Sequence, residues 1–274
     1  MKIGLRNIRT LTGWPAQFEA ARQIGADYLQ VDGVPDEDVE EVAGLIEETG
    51  VRLWSITALS TAMLGPDMEA SRREQASVRR TIDRAAELGA PCVTVFAGGD
   101  PARAPEENLD AFRGVFGPLA EHAEEAGVTL VFENCPMIGG RPPAPRNMAY
   151  CPAHWEAMFA AVPSPALGLE LDVGHLPGLG IDPVRAVRDF GDRIRHTGMK
   201  DAAVDQEAVY RHGWRDPRIS EHRVPGEGCI DFPAVIRALI QVGYEGPLTL
   251  DHVHPPTDTV ERFQKAADYL RAAI

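Results

Sequence analysis

Eight short apolar runs recur along the chain, and longer stretches with helical spacing separate them. The runs are KIGLR (2–6), DYLQVD (27–32), VRLWSIT (51–57), CVTVFA (92–97), VTLVFEN (128–134), ALGLELD (166–172), RIRHTGMK (193–200) and PLTLDHV (247–253). Three of the intervening stretches, EDVEEVAGLIEETG, REQASVRRTIDRAAELGA and EENLDAFRGVFGPLAEHAEEAG, stop at or beside a glycine: Gly50, Gly89 and Gly127. A glycine just past the last periodic residue is a helix stop. Eight such units in 274 residues predict an α/β fold, a single (β/α)8 TIM barrel over residues 1–274. A doubly wound sheet is the second choice.

The balance of charge narrows the partners. The formal net charge is -14, which repels phosphate backbones and anionic lipid surfaces. Nucleic acid and membranes are therefore excluded as expected partners. No apolar run approaches the ~20 residues of a membrane span, and MKIGLRNIRT is too short in apolar residues for a signal peptide. The four cysteines, Cys92, Cys135, Cys151 and Cys229, show no C-x-x-C spacing. Free thiols in a cytoplasmic protein are expected.

Two connections are long, 135–151 after the fifth run and 202–230 after the seventh. Both follow the C-terminal ends of strands, where barrels carry their active-site loops. The same ends collect polar residues: Glu133-Asn134, Asp172 with His175, His196 with Lys200-Asp201, and Asp251-His252 with His254. One acid at a strand end can be a helix cap or a loop ion pair. Four successive ends point to a shared mouth. Carboxylates and imidazoles suit Mn, Mg, Co or Zn. A divalent metal would hold the acids together and polarise a substrate oxygen, and a second carboxylate would move a proton on the neighbouring carbon.

The stretches VTVFAGGDPARAPEENLDAFR, FENCPM, NMAYCPAHWEAMF, LGLELDVGHL, FGDRI, KDA, VYRHG and VPGEGCIDFPAVIRAL with GYEGPLTLDH resemble, in that order, the sugar phosphate isomerase/epimerase family with a xylose-isomerase-like barrel. The resemblance is specific from about 90 to 255. It implies metal ligands Glu133, Asp172 and Asp251, with His175 on substrate oxygens. It also implies departures. A pattern similar to H-x-H-x-K-D here reads His196-Thr197-Gly198-Met199-Lys200-Asp201, so glycine stands where a histidine ligand is implied. Asp251 stands where the implied residue is glutamate. His196 shares the face of residue 198 but lies about 6.6 Å lower at ~3.3 Å per residue, too far to replace a ligand that bonds at about 2.1 Å. It is expected in a lower barrel layer.

Gly198 leaves room, on this reading, for a water, a substrate group or a loop residue, with His212, His222 and His254 as candidates or as solvent-exposed loop residues. Glu133 and Asp251 are the expected proton carriers. His175, Lys200 and Trp214 are the expected substrate contacts, Trp214 as a lid, while Lys200 could instead pair with Asp201. Trp14, Trp54 and Trp155 read as core or pocket wall, Met199 as core, and Cys135 as a small buried thiol.

Three functions remain open. The first is a metal-dependent isomerase or epimerase acting on a sugar, keto-sugar or cyclic polyol by proton abstraction beside a carbonyl. The second is a lyase relative, such as the catalytic subunit of a C-glycoside deglycosidase acting on a 3-keto-sugar. The third is a barrel with a degenerate metal site that does metal-free acid/base chemistry or only binds. The partner is a small carbohydrate-like substrate, with a homo-oligomer or a small partner subunit possible.

Overall fold

The structure is a computed structural model describing residues 1–100, 102–138, 144–213, 219–251 and 259–274. Its strands are β1 Ile3–Arg6, β2 Tyr28–Val31, β3 Arg52–Thr57, β4 Cys92–Val95, β5 Thr129–Glu133, β6 Leu167–Asp172, β7 Ile194–Gly198, β8 Asp201–Val204, β9 Ser220–Arg223 and β10 Leu248–Leu250. Eight of them form a closed parallel barrel in the order β1-β10-β7-β6-β5-β4-β3-β2. Each of the eight apolar runs supplies one barrel strand. The other two strands, β8 and β9, pair antiparallel as a separate hairpin.

That hairpin occupies part of the connection expected as a loop over 202–230, with its first strand starting at Asp201. The seventh strand also stops earlier than expected, at Gly198. Met199 still donates its N–H to Thr249 O at 2.7 Å, and the chain then turns into β8. Met199 is buried, as expected.

Several helices begin on side-chain caps. Asp67 accepts from the N–H groups of Glu69 and Ala70 at 3.0 Å before helix Met68–Glu87. Asp182 serves Val184 and Arg185 before Pro183–Phe190. Such caps satisfy orphan N–H groups of the first turn. The stops fall as predicted, at Gly50 and Gly127 directly and one residue past Leu88 at Gly89.

Contacts group the chain into two units, Met1–Trp54 with Leu171–Ile274, and Ser55–Glu170. In the second, Phe112, Phe116 and Phe132 pack with ring centroids 4.8–5.6 Å apart, tying helix Leu109–Ala126 to β5. In the first, Leu5, Phe18, Leu29, Phe232 and Phe263 are fully buried. Trp14 and Trp54 bond through their indole N–H to Asp38 and to Arg195 O. Trp155 is buried and donates to Ala149 O. Among the described residues, no helix is long and apolar enough to cross a membrane.

Candidate active site

The first unit gathers ionised side chains at the C-terminal ends of its strands. Asp172 closes β6, Lys200 lies two residues past β7, and Asp251 follows β10. All three are buried, the two aspartates completely. Lys200 Nζ stands 2.8 Å from Asp172 Oδ2 and 2.9 Å from Asp251 Oδ2. One ammonium thus joins the two carboxylates.

Further donors surround the pair. Arg6, the last residue of β1, places Nη1 3.4 and 3.3 Å from the two carboxylate oxygens of Asp251. Its Nη2 donates to Asp32, beyond β2, at 3.2 Å. On Asp172, Gly174 N–H donates to Oδ1 at 2.9 Å, and His175 Nε2 lies 3.1 Å from Oδ2. The His222 ring, from β9, meets the His175 ring edge to face at 4.7 Å.

Two small residues make this packing feasible. A Cβ on Gly174 would lie 2.5 Å from Lys200 Cβ. A Cβ on Gly198 would lie 2.9 Å from both Cβ and Cγ of Asp172. The glycines of DVGH and HTGMKD therefore clear space for the lysine and the aspartate. Asp201, next in line, organises the connection behind them. Its carboxylate accepts from the N–H groups of Ala202, Gly226, Gly228 and Ile230 at 2.8–3.1 Å.

The charges follow from this geometry. Burial alone would raise the Asp172 pKa, but the Lys200 ammonium and His175 outweigh it and hold the carboxyl well below the usual range. Burial, then the positive charges of His175 and Lys200, bring His222 down to about 3. At neutral pH its ring is uncharged and can act as donor or acceptor.

The second unit holds Glu133 at the end of β5, 3% exposed. It stands in register with Glu170 of β6, two residues before Asp172. Asn147, fully buried in the NMAYC stretch, ties strand ends together. Its amide donates to Glu133 O and Cys135 O at 2.9 and 2.7 Å, and its oxygen accepts from Ala97 N–H at 3.1 Å. Below, Ser55 bonds Thr94 at 2.6 Å and Thr94 bonds Glu170.

Several expectations are settled by these contacts. Lys200 reaches Asp172 and Asp251, and Asp201 is committed to backbone N–H groups, so the Lys200–Asp201 alternative is replaced. Gly198 does not open a space for a water or a loop side chain on its Cβ side; Asp172 fills it. Of the loop histidines, His222 joins His175 while His212 is exposed. His196 is buried one layer down, 2.9 Å from Thr249 Oγ1. Cys135 is half-buried. Trp214 and His254 lie outside the described residues. Arg6 and Asp32, both at the ends of apolar runs, join this cluster without having been expected there.

Glu133, Asp172 and Asp251, the carboxylates that the resemblance implies as ligands, are of a type that could hold an ion, but the fourth ligand of that centre is missing and Lys200 holds two of the three. Gly198 brings no donor, and Asp172 occupies the position its Cβ would need. Asp172 and Asp251 both face an ammonium at hydrogen-bond distance.

A closed parallel barrel with its ionised groups at the C-terminal strand ends defines an enzyme-type α/β barrel. The sequence matches the xylose isomerase-like TIM barrel family over residues 18–273, and the chain belongs to that family. It is 30% identical over 274 aligned residues to the 3-dehydroshikimate dehydratase of Pseudomonas putida, covering 95% of this chain and 39% of that protein. It is 34% identical over 89 residues to the inosose dehydratase of Geobacillus kaustophilus, covering 31% and 29%. The chain thus spans well under two thirds of the length of either relative. A 3-keto-D-glucoside 4-epimerase from E. coli superposes with TM-score 0.80 at 18% identity, covering 99% of both chains. The IolI protein with a bound zinc atom gives 0.79 at 17%, covering 100% of this chain and 99% of the other. At these identities the structural likeness speaks for the fold.

Proposed function

We propose that this chain is an enzyme that moves a proton on the carbon beside a carbonyl of a keto-sugar or cyclic polyol. The observation that carries the reading is the Lys200 ammonium held by Asp172 and Asp251 at the strand ends. A fixed, buried positive charge stabilises the oxyanion of an enolate far better than solvent does. The dehydratase and epimerase relatives support the same first step.

Glu133, Asp172 and Asp251 are carboxylates of a type that could hold an ion, but Lys200 and Arg6 grip Asp251 and Lys200 grips Asp172. The reading therefore assigns proton abstraction to Glu133 and the positioning of Lys200 to the two aspartates. Removing the proton gives an enolate, with its charge on oxygen facing Lys200. His175, held by Asp172, contacts a substrate hydroxyl. Reprotonation on carbon yields an epimer or isomer. Loss of the hydroxyl on the next carbon, leaving with a proton as water, yields an unsaturated ketone instead. The dehydration branch is the preferred one, because the curated relatives above are dehydratases.

The test is exchange in D2O with a panel of inososes, 3-keto-glucosides, ketoses and 3-dehydroshikimate, read by NMR. Deuterium should enter at the carbon beside the carbonyl, and an enone absorbance marks dehydration. Glu133→Gln should slow exchange by about 10²–10⁴-fold, the usual worth of a positioned base. Exchange that survives this change removes Glu133 from the role, and no exchange with any panel member defeats the reading.

A further inference from the structure

We infer that Lys200, backed by Arg6, has taken over the place and charge of a divalent cation between Asp172 and Asp251. β7 lies between β6 and β10 in the barrel. The residue two past its end sends an ammonium to a carboxylate on each flanking strand, at 2.8 and 2.9 Å. A metal bonded to the same oxygens would sit about 2.0–2.2 Å from each, inside the volume the ammonium now fills.

The hydrogen bonding of the carboxylates points the same way. Asp172 Oδ2 faces both Lys200 and His175, while Oδ1 accepts from Gly174 N–H. Asp251 Oδ2 faces Lys200 and Arg6, and Oδ1 faces Arg6. All four carboxylate oxygens thus lie within 2.8–3.4 Å of a nitrogen in a buried setting. Lys200 and Arg6 bring two positive charges to the two buried aspartates, with the exposed Asp32 on the other nitrogen of Arg6. An added ion would face those two cations at short range, where buried charges are poorly screened.

Gly198 completes the argument. The strand that should bring a ligand brings none, and restoring any side chain there would first require Asp172 to move. The inference does not rest on the proposed reaction, because it is read by ion binding.

The experiment is equilibrium dialysis of the full chain against Mn²⁺, with bound metal counted by elemental mass spectrometry, for wild type and Lys200→Gln. Substoichiometric binding by wild type is expected, with Lys200→Gln binding about one equivalent at least roughly tenfold more tightly. Stoichiometric wild-type binding that the variant does not tighten by that factor overturns the inference, as does failure of a folded variant to bind. If Lys200→Gln does not fold, the Lys200 ammonium resonance of the wild type decides. It should keep its intensity with one equivalent of Mn²⁺, and paramagnetic loss of that signal overturns the inference.

Discussion

Replacing Lys200 with methionine keeps the length of the side chain and removes the ammonium that joins two fully buried carboxylates. Breaking a buried ion pair by deleting one partner costs about 3–5 kcal/mol, because the remaining charge loses its compensation. Unfolding entropy runs at about 2.1 cal/mol/K per residue, or roughly 0.6 kcal/mol/K for a chain of this length. The melting temperature of Lys200→Met should therefore fall by about 5–9 °C at pH 7. The loss should shrink with acid. Without the ammonium, burial raises the carboxyl pKa values in the folded state, so the folded variant binds protons before the unfolded chain does. Its stability relative to wild type then recovers between about pH 7 and pH 4. Calorimetry of both proteins across that range is the assay. A variant within about 1 °C of wild type at pH 7, or a deficit that does not change with pH, would refute the account of Lys200 as the counter-charge of the pair.

Gly198→Ala should lower stability by ~1–2 kcal/mol in urea melts, since overpacking at Asp172 costs about 1–3 kcal/mol and the lost freedom of the unfolded chain returns about 0.5–1 kcal/mol; an unchanged midpoint would mean that Asp172 retreats freely. The wild type should lose stability in acid through Asp172. Its folded pKa lies below the unfolded value near 3.8, so its contribution is full above that value and disappears as pH falls through the folded one. Asp172→Asn should flatten this part of the stability profile between about pH 5 and pH 2, and an unaltered acid limb would assign it to other carboxylates.

The barrel was legible in the sequence because its cause is local. Each strand run is bounded by its own helix stop or loop, and each lies where the periodicity puts it. Glu133, Asp172, Lys200 and Asp251 were legible because ionised residues at strand ends are conspicuous. Which partner each would choose was not. Lys200 has Asp201 as its immediate neighbour in sequence, yet it pairs with carboxylates 28 positions before and 51 positions after it. Those partners are set by strand order, which no single segment encodes. At Gly198 spacing shows only that a side chain is missing. It cannot show that a neighbouring strand has moved its own side chain into the gap. Arg6 passed unnoticed for a similar reason: its partner Asp251 lies at the far end of the chain and meets it only when β1 and β10 pair.

The hairpin formed by β8 and β9 acts as a ruler for the mouth. Ala202 is paired opposite His222, and Asp201 pins the returning chain through four backbone N–H groups spread over residues 202–230. Side chains alternate along a strand, so a slip of one residue would turn His222 away from His175 and present Glu221 or Arg223 in its place. The anchoring aspartate therefore governs whether an uncharged ring, a carboxylate or a guanidinium faces His175, without touching that face itself.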